Sequence, residues 1–300
     1  MKRNRKIRHF LEALLIWTLP QALRPLPWKA RVRVGGKLIG GAVRLVPSLK
    51  KRITDNLALI YPDMPEADKK ALTKRICRNI GERFIEVFYN RAFRKHVGEI
   101  RYAEGAFDEI ISAQKAGRAV IMVSGHFGQW ESVRVVLARM GYETAAIYKE
   151  NANPYFERHH AKEVAIGAPM FATGAAGTRK MIKHLKSGGL LAVLLDQRAG
   201  DGVPIDFLGQ PALTSTAMAT LANRTGALLV PAYGVLRPDR QSCDIFIEPP
   251  IPHGDPVVMT TALNDSLSAR VQKNPEQWYW LHKRWARPDL NIKAPSPAEN

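Results

Sequence analysis

Ala119-Val120-Ile121-Met122-Val123, running into Ser124-Gly125-His126-Phe127-Gly128-Gln129-Trp130-Glu131, is the stretch that decides the fold. Its first five residues are an unbroken apolar run, the pattern of a strand buried on both faces. Ser132 to Met140 then space their apolar residues as a helix does, and Gly141 supplies a stop signal. A His and, five positions on, a Glu therefore stand between strand and helix. That is where open α/β sheets put their chemistry. Residues five apart on an ideal helix lie about 140° from each other, so His126 and Glu131 cannot share a helical face. For the two to meet, His126 must sit in the turn, with Gly125 and Gly128 letting the chain fold back.

Such a pair suits proton abstraction from a hydroxyl. A neutral imidazole, with an unperturbed pKa of about 6.5, accepts the proton. A carboxylate on the other ring nitrogen fixes the tautomer and stabilises the imidazolium. The plainer reading is a His that ends a strand and a Glu whose charge favours a helix N-terminus. His-x4-Glu alone fits that reading as well. The glycines and the strand-to-helix position favour catalysis, with His126 as base and Glu131 as its orienting carboxylate.

Three hundred residues, 46% of them hydrophobic, suffice for one sizeable α/β domain with extensions. The net charge of +18 points to a polyanionic partner: nucleic acid, anionic lipid or an acidic protein. Cations crowd the N-terminal part, where Lys2, Arg3, Arg5, Lys6 and Arg8 open a series running to Arg52 against Glu12 alone. No zinc-finger spacing, RNP aromatic motif or basic zipper accompanies them, so a membrane surface is preferred over nucleic acid. Phe10 to Leu19 is apolar but well short of the roughly 20 residues that span hydrocarbon. An interfacial helix is expected there, with Trp17 and Trp28 at the headgroups; a helix packed on the protein's own core is the alternative. Cys77 and Cys243 are too few for a disulfide framework and read as reduced thiols. Nothing has the spacing of a metal site: His159 and His160 are adjacent and point in different directions on a helix.

The rest of the chain alternates helical and strand-like segments. One or two short helices are expected between Arg24 and Pro47, and a helical region begins at Arg52. A long amphipathic stretch runs from Pro65 to about Arg94, with Ile76, Ile80, Phe84, Val87 and Phe88 on its inner face. Helices are expected over 104–116, from Pro154, over 177–189, to about Arg224 and over 257–273. Strands are expected over 143–148, 190–195, 228–235 and 243–248, the second ending at Asp196-Gln197-Arg198. Gly200 to Pro204 reads as a mobile loop, and the tail after Pro288 as loose. Trp278, Tyr279 and Trp280 stand at helical spacing with Leu281, which favours packing on the domain over base stacking. The pattern is α/β: a central, mostly parallel sheet flanked by helices, with a helical, membrane-associated N-terminal extension.

Gly125-His126-Phe127-Gly128-Gln129-Trp130-Glu131 resembles the signature of the bacterial lipid A late acyltransferases, the lauroyl and myristoyl transferases, whose more usual residue before Trp is Asn. Tyr148-Lys149 with Asn153-Pro154, Asp196-Gln197 and Pro275-Glu276-Gln277 before the aromatics and His282-Lys283-Arg284 also resemble this family, in order, from about Arg52 to Arg284. The resemblance implies a division into a basic membrane-associated segment (1–50), an acyltransferase domain (51–288) and a flexible tail (289–300). It implies an enzyme at the cytoplasmic face of the inner membrane, moving a fatty acyl chain from acyl carrier protein to a hydroxyl of a lipid A precursor. Anionic inner-membrane lipids are its expected surroundings; no metal, bound cofactor or nucleic acid is expected. It further implies substrate contacts from Lys149, Asn153, Asp196, Gln197 and Arg198, with Asp196 shaping the site and Arg198 pairing with a phosphate. An Arg that binds anionic substrate groups is also implied; spacing leaves Arg158 and Lys162 both open for it. The alternatives are an acyltransferase for another lipid, such as a glycolipid, ornithine lipid or lysophospholipid, and a basic membrane- or nucleic-acid-binding protein without chemistry.

Overall fold

Seven of nine strands make one sheet in the computed structural model, which describes residues 17–148, 153, 157, 159, 161–163 and 169–285. In chain order the strands are β1 (Ile100–Arg101), β2 (Val120–Ser124), β3 (Thr144–Tyr148), β4 (Met170–Ala172), β5 (Leu190–Leu194), β6 (Val203–Phe207), β7 (Gln210–Thr214), β8 (Leu228–Leu236) and β9 (Cys243–Ile247). The sheet runs β1-β9-β8-β2-β5-β3-β4, and every neighbouring pair is parallel except β8 with β9. The central strand β2 is apolar and buried from Val120 to Val123, as a parallel strand covered on both faces must be.

Helices cover both faces. Ile121, Val123, Leu191, Val193 and Leu229 pack beneath α7 (Ala175–Lys186), α8 (Ala217–Thr225) and α9 (Pro256–Lys273). Val120, Met122, Leu190 and Val230 pack against α5 (Asp108–Lys115) and α6 (Ser132–Arg139). Before the sheet come α1 (Trp28–Leu45), α2 (Pro47–Ile60), α3 (Glu66–Phe88) and α4 (Asn90–His96). The one or two short helices expected near residues 24–47 are the single 18-residue α1, laid along α3. The approach is close: a Cβ at Gly81 would stand 2.6 Å from Gly36 O and 2.8 Å from Gly40 N. With α1 on one side and the domain on the other, α3 from Ile76 onward is mostly buried, charged residues included, while Glu66 to Arg75 is largely exposed.

Two expectations fail locally. The loop expected over 200–204 ends at Gly202, since Val203 and Pro204 already belong to β6, which pairs with β7 as a hairpin. Its two-residue turn, Leu208 (φ 57) and Gly209 (φ 77), has the double positive φ of a type I′ turn without the usual Asn-Gly signal. The aromatic segment after α9 is not helical. A 3-10 turn at Pro275–Gln277 gives way to extended chain that bonds the β2–α6 turn: Gly128 N–H to Gln277 O at 3.0 Å and Tyr279 N–H to His126 O at 3.0 Å. Trp17 and Trp28 meet the protein's own rings, Trp17 against Phe88 and His159 and Trp28 against His96. An indole beside apolar side chains gains burial there without a bilayer.

Candidate active site

The β2–α6 turn holds His126 where the sequence places it. Gly128 takes φ 54, and a Cβ there would collide with the carbonyl oxygen of Gly234, so only glycine fits. Ser124 and Leu194 pair in register at the ends of the parallel strands β2 and β5. His126 and Asp196 each lie two residues further on. Asp196 is buried and accepts three hydrogen bonds, from His126 Nδ1 at 2.7 Å, the His126 backbone N–H at 2.7 Å and Trp278 Nε1 at 2.8 Å. The backbone bond fixes the turn and the ring bond fixes the tautomer, with Nδ1–H donated to the carboxylate and Nε2 left as the unprotonated nitrogen.

The electrostatics favour that arrangement. Burial alone would raise the Asp196 carboxyl, but His126, by charge and by hydrogen bonds, holds it well below the ordinary carboxylate range. His282 lies edge-on to His126 with ring centroids 4.7 Å apart, and burial depresses its imidazole to about 4, so it is neutral near pH 7. Its Nε2 stands 4.0 Å from Asp196 Oδ2, too far for a hydrogen bond. His126, Asp196 and His282 bring their donor atoms within 4.8 Å of one another, a set that could be asked to hold a cation. Here both Asp196 oxygens already accept N–H groups, and the indole and backbone donors among them would face any metal with their protons. The arrangement is built as a hydrogen-bonded relay.

Glu131 does not reach His126. Both of its oxygens lie on Arg134 Nη1, at 2.9 and 3.1 Å. Glu131 caps α6 and Arg134 follows three positions on, so the pair closes along the helix. Arg134 is buried and also donates twice to the Thr144 carbonyl, which anchors the pair to the start of β3.

A cavity of about 440 Å³ opens beside His126 on the α6 face of the sheet. Its floor is a row of small or flexible residues in register, Met122, Ala192 and Ala146, with Ala232 beyond. Branched side chains at those alanines would fill the space. Trp130, Glu131, Val133 and Arg134 form the wall, with Val87 and Asn90 from the α3–α4 region. Ser124 Oγ and Asn90 Oδ1 are buried and have no hydrogen-bond partner among the described residues. The cavity is mostly apolar, with the His126 imidazole at one side.

The bacterial lipid A biosynthesis acyltransferase family matches residues 1–287. This chain belongs to that family. The acyltransferase is 24% identical to the lipid A biosynthesis lauroyltransferase of Escherichia coli K12, over 92% of this chain and 90% of the relative. It is 21% identical to the lipid A biosynthesis myristoyltransferase of the same strain, over 86% and 81%. A phosphatidylinositol mannoside acyltransferase of Mycobacterium tuberculosis (CDC 1551 / Oshkosh) is 22% identical, over 78% and 77%.

The other expected site residues divide. Gln197 lines the acyltransferase cavity, and its carbonyl accepts Arg284 Nη1 at 3.3 Å. Arg198 is not among the cavity walls, and its Nε is buried. The Asn153 carbonyl accepts the Glu157 N–H at 2.9 Å. Lys149 and Arg158 lie outside the described residues. Sequence reasoning missed two groups, Trp278 as a donor to Asp196 and His282 beside His126. Both belong to the Pro-Glu-Gln-aromatic-His stretch, whose only signal was the resemblance. Trp278 and Trp280 are fully buried, so neither ring offers a face to a nucleic-acid base.

Proposed function

We propose that this acyltransferase moves a fatty acyl chain from the thioester of acyl carrier protein to a hydroxyl of a lipid A precursor, with His126 as general base held by Asp196. The observation that carries the reading is the hydrogen bond of half-buried His126 to buried Asp196 beside a mostly apolar cavity. The acceptor hydroxyl gives its proton to His126 Nε2 and its oxygen attacks the thioester carbonyl. When the C–S bond breaks, the sulfur leaves with the proton from the imidazolium, which restores the neutral base. Ser124 Oγ gives up no existing hydrogen bond by turning toward the thioester oxygen, and it serves as a donor to the oxyanion. The acyl chain lies over the Met122–Ala192–Ala146 floor. Glu131 acts through Arg134, keeping that cation in the wall; Gln197, Arg198, Asn153, Lys149 and Arg158 serve the polar ends of the substrates.

No helix among the described residues is long and apolar enough to cross a membrane. The outward face of α1 instead exposes Val34, Leu38 and Leu45 beside Arg33, Lys37 and Arg44. Apolar groups ringed by cations suit the cytoplasmic face of the anionic inner membrane. A second acceptor class is favoured by the mannoside acyltransferase relatives: a glycolipid other than lipid A. One assay separates them. Purified protein is given acyl carrier protein or coenzyme A carrying different chains, with lipid A precursor or phosphatidylinositol mannoside, and products are read by mass spectrometry. Transfer to lipid A precursor from the carrier is expected. Transfer to the mannoside alone moves the assignment to the second class, and transfer to neither overturns both.

A further inference from the structure

The inner face of α3 carries charge that acyl transfer leaves unused. Asn79, Glu82, Arg83 and Glu86 fall at i, i+3, i+4 and i+7, one helical stripe, and all are buried, as is Asn90 at the start of α4. On a solvated face such a stripe needs no account; buried, each charge must find partners to replace its lost hydration. Glu82 finds Arg240 at 2.7 Å and Arg78 at 2.9 Å. Glu86 finds Arg83 Nη1 at 2.8 Å and accepts the side-chain amide of Gln129 at 2.9 Å.

Gln129 is the knot of the catalytic turn. Its backbone N–H donates to Gly234 O on β8 at 2.7 Å, and its carbonyl accepts Ser132 Oγ at the start of α6 at 2.6 Å. Beside its side chain is a space of about 10 Å³ bounded by Val87, Phe93 and Trp130 and by the charged side chains of Arg83, Glu86 and Glu131. That is about the space one water needs, and Arg83 Nε is buried nearby without a hydrogen-bond partner.

We propose that Glu86 is a positioning residue for the catalytic turn, holding Gln129 by its amide while one ordered water in the adjoining void joins Arg83 and Glu86 to Glu131. The inference rests on the reading of His126 as the base. The groups facing Glu86 are Arg83 and Glu82 on α3, Gln129 from the turn, Arg240 from the β8–β9 loop and Cys243 on β9. Burial raises the Glu86 carboxyl to about 7, against the opposing pull of Arg83 and Gln129. Glu86 therefore changes charge near neutral pH. Its ionised form makes the stronger, charge-assisted bond to Gln129, so turnover rises as pH passes through about 7.

The test measures kcat against pH, and melting temperature, for wild type, Glu86→Gln, Glu86→Ala, Gln129→Leu and the Glu86→Ala/Gln129→Leu double variant. Substrates are loaded acyl carrier protein and lipid A precursor, with His126→Ala as control. Glu86→Gln should lower kcat several-fold at pH 8, and its kcat relative to wild type should recover as pH falls below 7, where wild-type Glu86 is itself uncharged. A merely structural role would lower the rate by the same factor at every pH. Glu86→Ala and Gln129→Leu should each cost about tenfold or more in kcat, and the double variant no more than the worse single. Wild-type kcat and pH profile in Glu86→Gln, or additive losses in the double variant, overturn the proposal while an inactive His126→Ala leaves the base assignment standing. An active, folded His126→Ala, or a wild type that transfers nothing, overturns the base assignment and this inference with it.

Discussion

His126 Nδ1 and Asp196 Oδ1 meet at 2.7 Å because their residues stand two beyond Ser124 and Leu194, partners across adjacent parallel strands. The pairing is a property of the sheet: any two residues so placed beyond a registered pair are brought together at the strand ends. Asp196 is then committed by three donors, and the ring it holds has one free nitrogen for chemistry.

Asp196→Asn keeps the size but offers an NH₂ where three N–H groups expect acceptors. It should lower kcat by about 10²–10⁴-fold through the wrong tautomer and destabilise the fold by roughly 1–3 kcal/mol. Glu131→Gln weakens the pair with Arg134, which keeps its two bonds to Thr144 O. It should cost less than about tenfold in kcat. Steady-state rates on folded protein decide: a Glu131→Gln loss as deep as that of Asp196→Asn would return the orienting role to Glu131.

The strand–turn–helix around His126 was legible because an unbroken apolar run and a glycine-bracketed His are local signals. The sheet's alternation of elements was legible for the same reason, and β3, β5, β8 and β9 begin within a residue of where the apolar runs place them. The partner of His126 was not legible. Glu131 is near in sequence and Asp196 is 70 residues away, and only the β2–β5 register, a long-range pairing, selects between them. The hairpin turn at Leu208-Gly209 was missed because Leu at positive φ is held by tertiary bonds, its N–H to Ser268 Oγ at 3.1 Å among them. The buried charges of α3 were missed because an amphipathic pattern assumes one covered face, and α1 covers a second.

Acid should loosen the site in two steps. His282 titrates near 4 when folded and 6.5 when unfolded, so the unfolded chain binds more protons between those values and stability falls as pH drops through that window. His282→Phe should flatten that slope, worth roughly 2–3 kcal/mol across it. Asp196 has the depressed carboxyl, so its contribution is complete above its ordinary 3.8 and is lost as pH falls below. Denaturant melts of wild type, His282→Phe and Asp196→Asn from pH 7 to 3 check both. A His282→Phe stability profile that runs parallel to wild type between pH 6.5 and 4 refutes the assignment.

Chelation bears on the relay as well. A site whose Asp196 oxygens already accept three N–H groups should keep its turnover through exhaustive EDTA treatment and dialysis. Activity lost to EDTA and restored by one particular divalent ion would mean that His126, Asp196 and His282 rearrange around a metal.

Docking of α1 on α3 can be broken at one atom. Gly81→Ala puts a methyl 2.6 Å from Gly36 O and 2.8 Å from Gly40 N, backbone atoms that cannot turn aside as a side chain would. Overpacking of this kind costs about 1–3 kcal/mol. The melting temperature should drop and α1 should become the first site of limited proteolysis, while Gly41→Ala, with nothing within 4 Å of the new carbon, should change neither. Equal behaviour of the two variants would mean that α1 is held otherwise.

The outward face of α1 should carry vesicle binding. Val34, Leu38 and Leu45 are 37%, 50% and 83% exposed, and their spacing of four and seven puts them on one side of the helix. Burying such groups in a bilayer contributes about 25 cal/mol per Å² of apolar surface, and each nearby cation adds about 1 kcal/mol at an anionic surface. Leu38→Glu/Leu45→Glu should therefore weaken binding to vesicles of mixed neutral and anionic lipid at least tenfold in a sedimentation assay. Arg33→Gln/Lys37→Gln/Arg44→Gln should weaken it on anionic vesicles, and much less on neutral ones or at high salt. Because these side chains point away from α3, melting temperature should stay at the wild-type value. Full vesicle binding by both variants, with folding intact, would assign the docking to other parts of the chain and leave α1 as a brace for α3 alone.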